Sequence, residues 1–132
     1  MNKLQEISGK IVCGDDIISG TIIFEDIIKD LKSEKDSNYT NYIIPGFIDL
    51  HCHGGNGYDS MEGIQSIKKI SEYHLSHGTT TLYPTTVTAT LEDTLEALKG
   101  LNNYLNQNKK ISNIEGIHLE GPFINPNKMG AQ

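Results

Sequence analysis

The chain has 132 residues, with 36% hydrophobic residues and no tryptophan, which is enough for one ordinary domain with a core. There are 17 acidic against 11 basic residues, a net charge of −6, and no basic stripe, which excludes a nucleic-acid partner on electrostatic grounds. No run is long and apolar enough for a membrane span, and Met1–Glu6 carries no apolar leader. The expected setting is therefore cytoplasmic, with Cys13 and Cys52 as reduced thiols.

In residues 1–44, Ser8–Cys13 and Gly20–Phe24 read as short β-branched strands. Turns are expected at Gly14-Asp15-Asp16 and at Ser19-Gly20. Ile27–Leu31 reads as a third strand, and Lys32–Asn41 as a polar loop. This is a small β layer that cannot close a core alone.

From Tyr42 the pattern alternates between strand and helix. A strand is expected from Tyr42 to about His51, then a helix over 61–77 capped by Ser60. Ile64, Ile67, Ile70 and Leu75 share a face of that helix, and Gly78 stands where a glycine would end it. Thr79–Val87 reads as a strand made irregular by Pro84. Thr90 and Asp93 form a capping box for a helix striped by Leu91, Leu95, Leu98, Leu101 and Leu105 and closed over Asn106–Lys110. A last strand runs over Asn113–Glu120.

Strand–helix–strand–helix–strand with short links implies an α/β fold with a parallel sheet. A doubly wound sheet fits this order as well as a barrel does. The placement of metal-type side chains at strand ends favours the barrel. Residues 45–132 then supply the first three β/α units of a (β/α)8 TIM-like barrel, whose full length is typically about 250 residues.

Pro45–Gly55 carries the strongest chemical signal. It reads as a strand ending in His51 and His53, followed by Gly54-Gly55. Side chains two apart on a strand share a face, so both rings can reach one metal ion, while Cys52 points under the helix layer as a buried thiol. The plain alternative is a hydrogen-bonded polar pair at a strand end. Asp49 shares the histidines' parity and could hold a ring N–H. Glu120 ends another apolar strand, just before Gly121-Pro122, and a metal would settle its charge. His118 has the parity of Glu120 and reads as a supporting residue. His74 and His77 read as surface or cap residues of the first helix. Asn125, Gly130, Ala131 and Gln132 follow on a loop that could line the site.

Pro45–Gly54 resembles the first metal motif of the amidohydrolase superfamily. His118–Pro126 (HLEGPFINP) with Lys128–Gln132 (KMGAQ), and Gly78–Thr85, are similar to the N-acetylglucosamine-6-phosphate deacetylase family. The resemblance covers essentially the whole chain. It implies a metallohydrolase barrel preceded by part of a small β-sandwich domain. It implies Glu120 as ligand of the principal metal, with His51 and His53 binding a second ion or completing a two-metal centre. Some members replace the two histidines by amides and use one metal. The ion would be Zn²⁺, or Fe²⁺ or Mn²⁺, one or two per subunit. Ala131 matches a backbone contact to substrate. Two further histidine ligands, the aspartate general base and most sugar-phosphate contacts belong to later strands, so no catalytic residue is expected in this chain. The implied reaction is metal-assisted hydrolysis of the acetamide of N-acetylglucosamine 6-phosphate, by a homodimer when full length. The rival readings are a cyclic amide or imide hydrolase, and an inactive fragment.

Overall fold

The computed structural model describes residues 3–35, 37–107 and 113–131. It divides into two compact units, Met1–Pro45 and Gly46–Gln132.

The first unit is a four-stranded sheet of β1 (Gln5–Cys13), β2 (Asp16–Phe24), β3 (Ile28–Ser33) and β4 (Tyr42–Ile43), ordered β3-β2-β1-β4. β1 and β2 form a hairpin in register from Gln5↔Phe24 to Cys13↔Asp16. Ser19-Gly20 is not the expected turn; it lies inside β2. A Cβ on Gly20 would stand 2.1 Å from the Lys32 carbonyl oxygen, so glycine is there because β3 passes close by. Ile11, Ile22 and Ile23 are buried, whereas every residue of β3 is exposed. The strand expected over Tyr42–His51 is two strands. β4 pairs in parallel with β1, while β5 (Phe47–Cys52) belongs to the second unit. Pro45 lies between them, where its missing N–H and fixed φ break the run.

In the second unit β5, β8 (Thr79–Pro84) and β9 (Asn113–Ile114) form a parallel sheet with β8 in the middle. The chain crosses between them through α1 (Ile64–Ser76) and α2 (Leu91–Leu105). After β5 comes a tight hairpin of β6 (Gly54–Gly55) and β7 (Tyr58–Asp59). Its turn residues Asn56 and Gly57 sit at φ 52 and 81, the positive values such a two-residue turn demands.

One core unites these elements: Cys52, Ile67, Ile70, Leu82, Leu101, Tyr104 and Ile114. Each large apolar side chain buried there contributes about 1.5–3 kcal/mol. The Tyr104 hydroxyl reaches Ser71 Oγ at 3.1 Å, so α2 meets α1 without losing a polar partner.

Both helices differ in detail from expectation. α1 begins after Gly63 with no side-chain cap, and Ser60 is buried beside β8 instead. α2 is capped by Thr90 as expected, its Oγ1 accepting the Asp93 N–H at 3.1 Å. Its buried row is Thr94, Ala97, Leu101 and Tyr104, while Leu91 and Leu95 are 68% and 46% exposed. The leucine stripe is therefore offset from the packed face; small Thr94 and Ala97 let the helix settle closely. Asn108–Lys110 lie outside the described residues. The last strand is shorter than expected: β9 is followed by an isolated parallel bridge, Thr85↔His118. β8 likewise stops at Pro84 rather than Val87.

Candidate metal centre

The end of β8 organises the site. The Thr85 N–H donates to the Cys52 carbonyl at 2.8 Å, and the Cys52 N–H donates to Thr85 Oγ1 at 2.9 Å. One residue on, the Thr86 N–H donates to the His118 carbonyl and the Glu120 N–H donates to Thr86 Oγ1, both at 3.0 Å. Two adjacent buried threonines thus hold the histidine strand on one side and the glutamate segment on the other. Gly121, at φ +83, fits the next step: a Cβ there would meet Thr88 Cα at 3.0 Å and Thr88 Oγ1 at 2.5 Å.

His51, His53 and Glu120 meet at this end. Glu120 Oε2 lies 3.1 Å from each Nε2, and the two Nε2 atoms are 3.0 Å apart. Their side chains are 49%, 39% and 27% exposed, so the cluster opens to solvent. His53 Nδ1 is shut off from solvent with no hydrogen-bond partner among the described residues, which leaves Nε2 as the working nitrogen of that ring.

These contacts cannot all be hydrogen bonds of neutral rings. An imidazole nitrogen is either a donor or an acceptor. If both Nε2 atoms carry protons, the protons face each other; if one does not, its lone pair faces a carboxylate. Three lone pairs on one cation remove the conflict. Separations of 3.0–3.1 Å are also short enough for all three atoms to reach one ion at about 2.0–2.2 Å, though closer than ideal tetrahedral ligands stand. The donor set therefore fits a divalent metal.

His118 supports the cluster from behind. Its Nδ1 reaches the Leu50 carbonyl at 3.2 Å, and its ring stands edge-on to His51 at 4.6 Å. Asp49 departs from expectation. The ladder between β5 and β8 shifts register between Asp49 and Cys52, which undoes simple alternation. Asp49 Oδ1 accepts the His51 backbone N–H at 3.1 Å, and the carboxylate lies within 4.8 Å of the ligand atoms of Cys52 and His74.

His74, expected at the surface or as a cap, is half-buried in the last turn of α1 and faces the strand end. Its Nε2 is 3.1 Å from the Gly54 carbonyl and 3.2 Å from Cys52 Sγ, which also donates to that carbonyl at 3.2 Å. Burial pushes the Cys52 thiol above its ordinary pKa; the Gly54 bond opposes this and the Asp49 charge adds to it. His77 is the exposed C-cap of α1, as expected. Ala131 is exposed on the loop that follows a single 3₁₀ turn (Pro126–Lys128), and no hydrogen bond among those described joins it to the cluster. Gln132 lies outside the described residues.

Ser60, expected as a helix cap, and Thr85 and Thr86, expected only as strand residues, are the supports of this end. Polar residues directly after Pro84, where the ladder must break, were the available signal.

No family model matches the chain. A curated N-acetylglucosamine-6-phosphate deacetylase of Bacillus subtilis (strain 168) is 34% identical over 108 residues, covering 79% of this chain and 26% of that protein. The chain is related to the N-acetylglucosamine-6-phosphate deacetylases. The structure agrees: the crystal structure of the Thermotoga maritima N-acetylglucosamine-6-phosphate deacetylase superposes with a TM-score of 0.85 at 30% identity, covering 97% of this chain and 35% of that one. An N-acetylgalactosamine-6-phosphate deacetylase of Escherichia coli O157:H7 is 33% identical over 90 residues, covering 67% of this chain and 23% of that protein. The chain thus spans about a quarter of the length of the curated relatives it matches.

Proposed function

We propose that this chain carries the front part of a metal-dependent amidohydrolase. On this reading residues 1–44 belong to a small β-sandwich domain, and 45–132 are the first three β/α units of a (β/α)8 barrel. The observation that carries the reading is the closed triangle of His51, His53 and Glu120, which proton placement on neutral rings leaves in conflict and one cation satisfies.

The reaction proposed is hydrolysis of the acetamide of N-acetylglucosamine 6-phosphate to glucosamine 6-phosphate and acetate. Relatives of that name, and the ligand triangle, support it. When bound, Zn²⁺, Fe²⁺ or Mn²⁺ supplies Lewis acidity, which polarises an amide carbonyl and makes water a nucleophile near neutral pH. His51 and His53 present neutral nitrogen, and Glu120 presents the one negative charge of the triangle. Thr85 and Thr86 keep the two segments at a fixed separation, so little reorganisation accompanies binding. Ala131 offers its backbone to the substrate, and the general base comes from strands beyond this chain. The full-length protein is then a cytoplasmic homodimer acting on an amino-sugar phosphate.

Two assays test this. The 132-residue chain with added Zn²⁺, Fe²⁺ or Mn²⁺ should release no acetate from N-acetylglucosamine 6-phosphate; turnover of about one per second, an ordinary enzyme rate, would show that the general base is already present. The full-length protein should deacetylate the glucosamine substrate faster than N-acetylgalactosamine 6-phosphate. The reverse order would assign it to the substrate of the Escherichia coli relative, and activity on cyclic imides alone would refute both.

A further inference from the structure

The three carbonyls that follow His51 along the chain are each held from a different segment. The Cys52 carbonyl accepts from the Thr85 N–H at 2.8 Å, and the His53 carbonyl from the Ser60 N–H at 2.8 Å. The Gly54 carbonyl accepts from His74 Nε2 at 3.1 Å. The first two donors are backbone groups that almost any residue would supply. The third is a side chain on α1, so its presence depends on the residue at that one position.

The same ring nitrogen touches Cys52 Sγ at 3.2 Å, and the thiol donates to the Gly54 carbonyl. A Cβ on Gly55 would stand 3.0 Å from His74 Nε2 and 2.9 Å from Tyr73 Cδ1, so the hairpin turn lies directly on α1. Unlike the metal triangle, this set closes on its own protons. A thiol is donor and acceptor at once. With the Nε2–H tautomer, the ring donates to the carbonyl and to sulfur, and the thiol donates to the carbonyl.

We propose that His74 is a positioning residue for the metal ligands: from α1 it locks Cys52 and Gly54, the two residues flanking His53, and so fixes where His53 presents its Nε2. This rests on the metal-centre reading above. Neither Cys52 nor His74 is a ligand in this account. The role is that of a group behind the ligands, whose loss typically costs about 10–100-fold in metal affinity.

The test is Co²⁺ titration of the chain, followed by visible absorption, with folding checked by far-ultraviolet circular dichroism. His74→Phe keeps a ring of similar size and removes the donor; it should weaken Co²⁺ binding by about tenfold or more and alter the absorption band. His74→Gln, whose amide can donate to the Gly54 carbonyl, should recover most of the loss. His74→Asn, too short to reach, should behave like His74→Phe and keeps the test decisive if the phenylalanine variant does not fold. Wild-type affinity and spectrum in folded His74→Phe or His74→Asn would overturn the proposal. So would a thiolate-to-cobalt charge-transfer band in the wild type, which would make Cys52 a ligand. Absence of Co²⁺ binding by the wild-type chain is a separate result: it would refute His51, His53 and Glu120 as a self-sufficient metal site, and the positioning role with it.

Discussion

On one face of the β5 terminus, His51 and His53 turn their Nε2 atoms toward Glu120; on the other, His74 and Cys52 meet the Gly54 carbonyl. The two triangles are almost the same size, with edges of 3.0–3.1 Å in the first and 3.1–3.2 Å in the second. Distance therefore does not distinguish them; proton capacity, charge and exposure do. The first combines two groups that each donate or accept, but never both, with an anion, and it opens to solvent. The second joins the His74 ring and a neutral carbonyl to a thiol that does both; its sulfur is buried and held in its protonated form, and the one carboxylate near it, Asp49, adds to that. On the proposed reading a cation goes to the first set, whereas the second closes on the thiol and ring protons it already has.

Glu120→Gln should break that contrast most completely. It removes the only negative charge in the first triangle while preserving shape, so Zn²⁺ affinity should fall by about 100-fold or more. Equal zinc content in the wild type and the variant after dialysis would contradict the comparison. Gly121→Ala comes next. It combines a positive φ with a clash against Thr88, and should cost about 1–3 kcal/mol in urea unfolding as well as displacing Glu120. An unchanged unfolding midpoint would show that this loop yields freely.

Cys52 sharpens the other half. Its pKa is raised in the folded chain, so the unfolded chain loses the thiol proton first as pH rises. The metal-free chain should therefore lose stability as pH climbs through and beyond the ordinary thiol range, and Cys52→Ala should flatten that dependence. Stability that rises with pH there in the wild type but not in Cys52→Ala would invert the assignment. Thr90→Ala gives the smallest effect, about 1 kcal/mol from the lost cap of α2. It should leave Zn²⁺ affinity unchanged, because neither triangle touches Thr90; a large affinity loss would mean that metal binding reports global stability only.

Much of this was legible in the sequence. Parity along β5 put His51 and His53 together, and the apolar run before Glu120 brought the carboxylate to the same end of the sheet. Parity failed for Asp49, because a register shift in the ladder is set by what β8 offers opposite it, which β5 does not encode. His74 was unreadable for a related reason. Helical spacing shows which face a residue occupies, but not that a glycine turn from a neighbouring strand will lie on it. The leucine stripe of α2 held at Leu101 and Leu105, which reach the core, and failed at Leu91 and Leu95, where the packed row passes instead through small Thr94 and Ala97 and on to a tyrosine with a hydroxyl partner on α1.

The most direct measurement is anomalous diffraction at the zinc edge from crystals of the chain soaked in Zn²⁺. An anomalous peak is expected in contact with His51 Nε2, His53 Nε2 and Glu120, and none beside Cys52. A peak at Cys52 and His74, or an empty triangle at saturating Zn²⁺, would contradict the metal-centre reading.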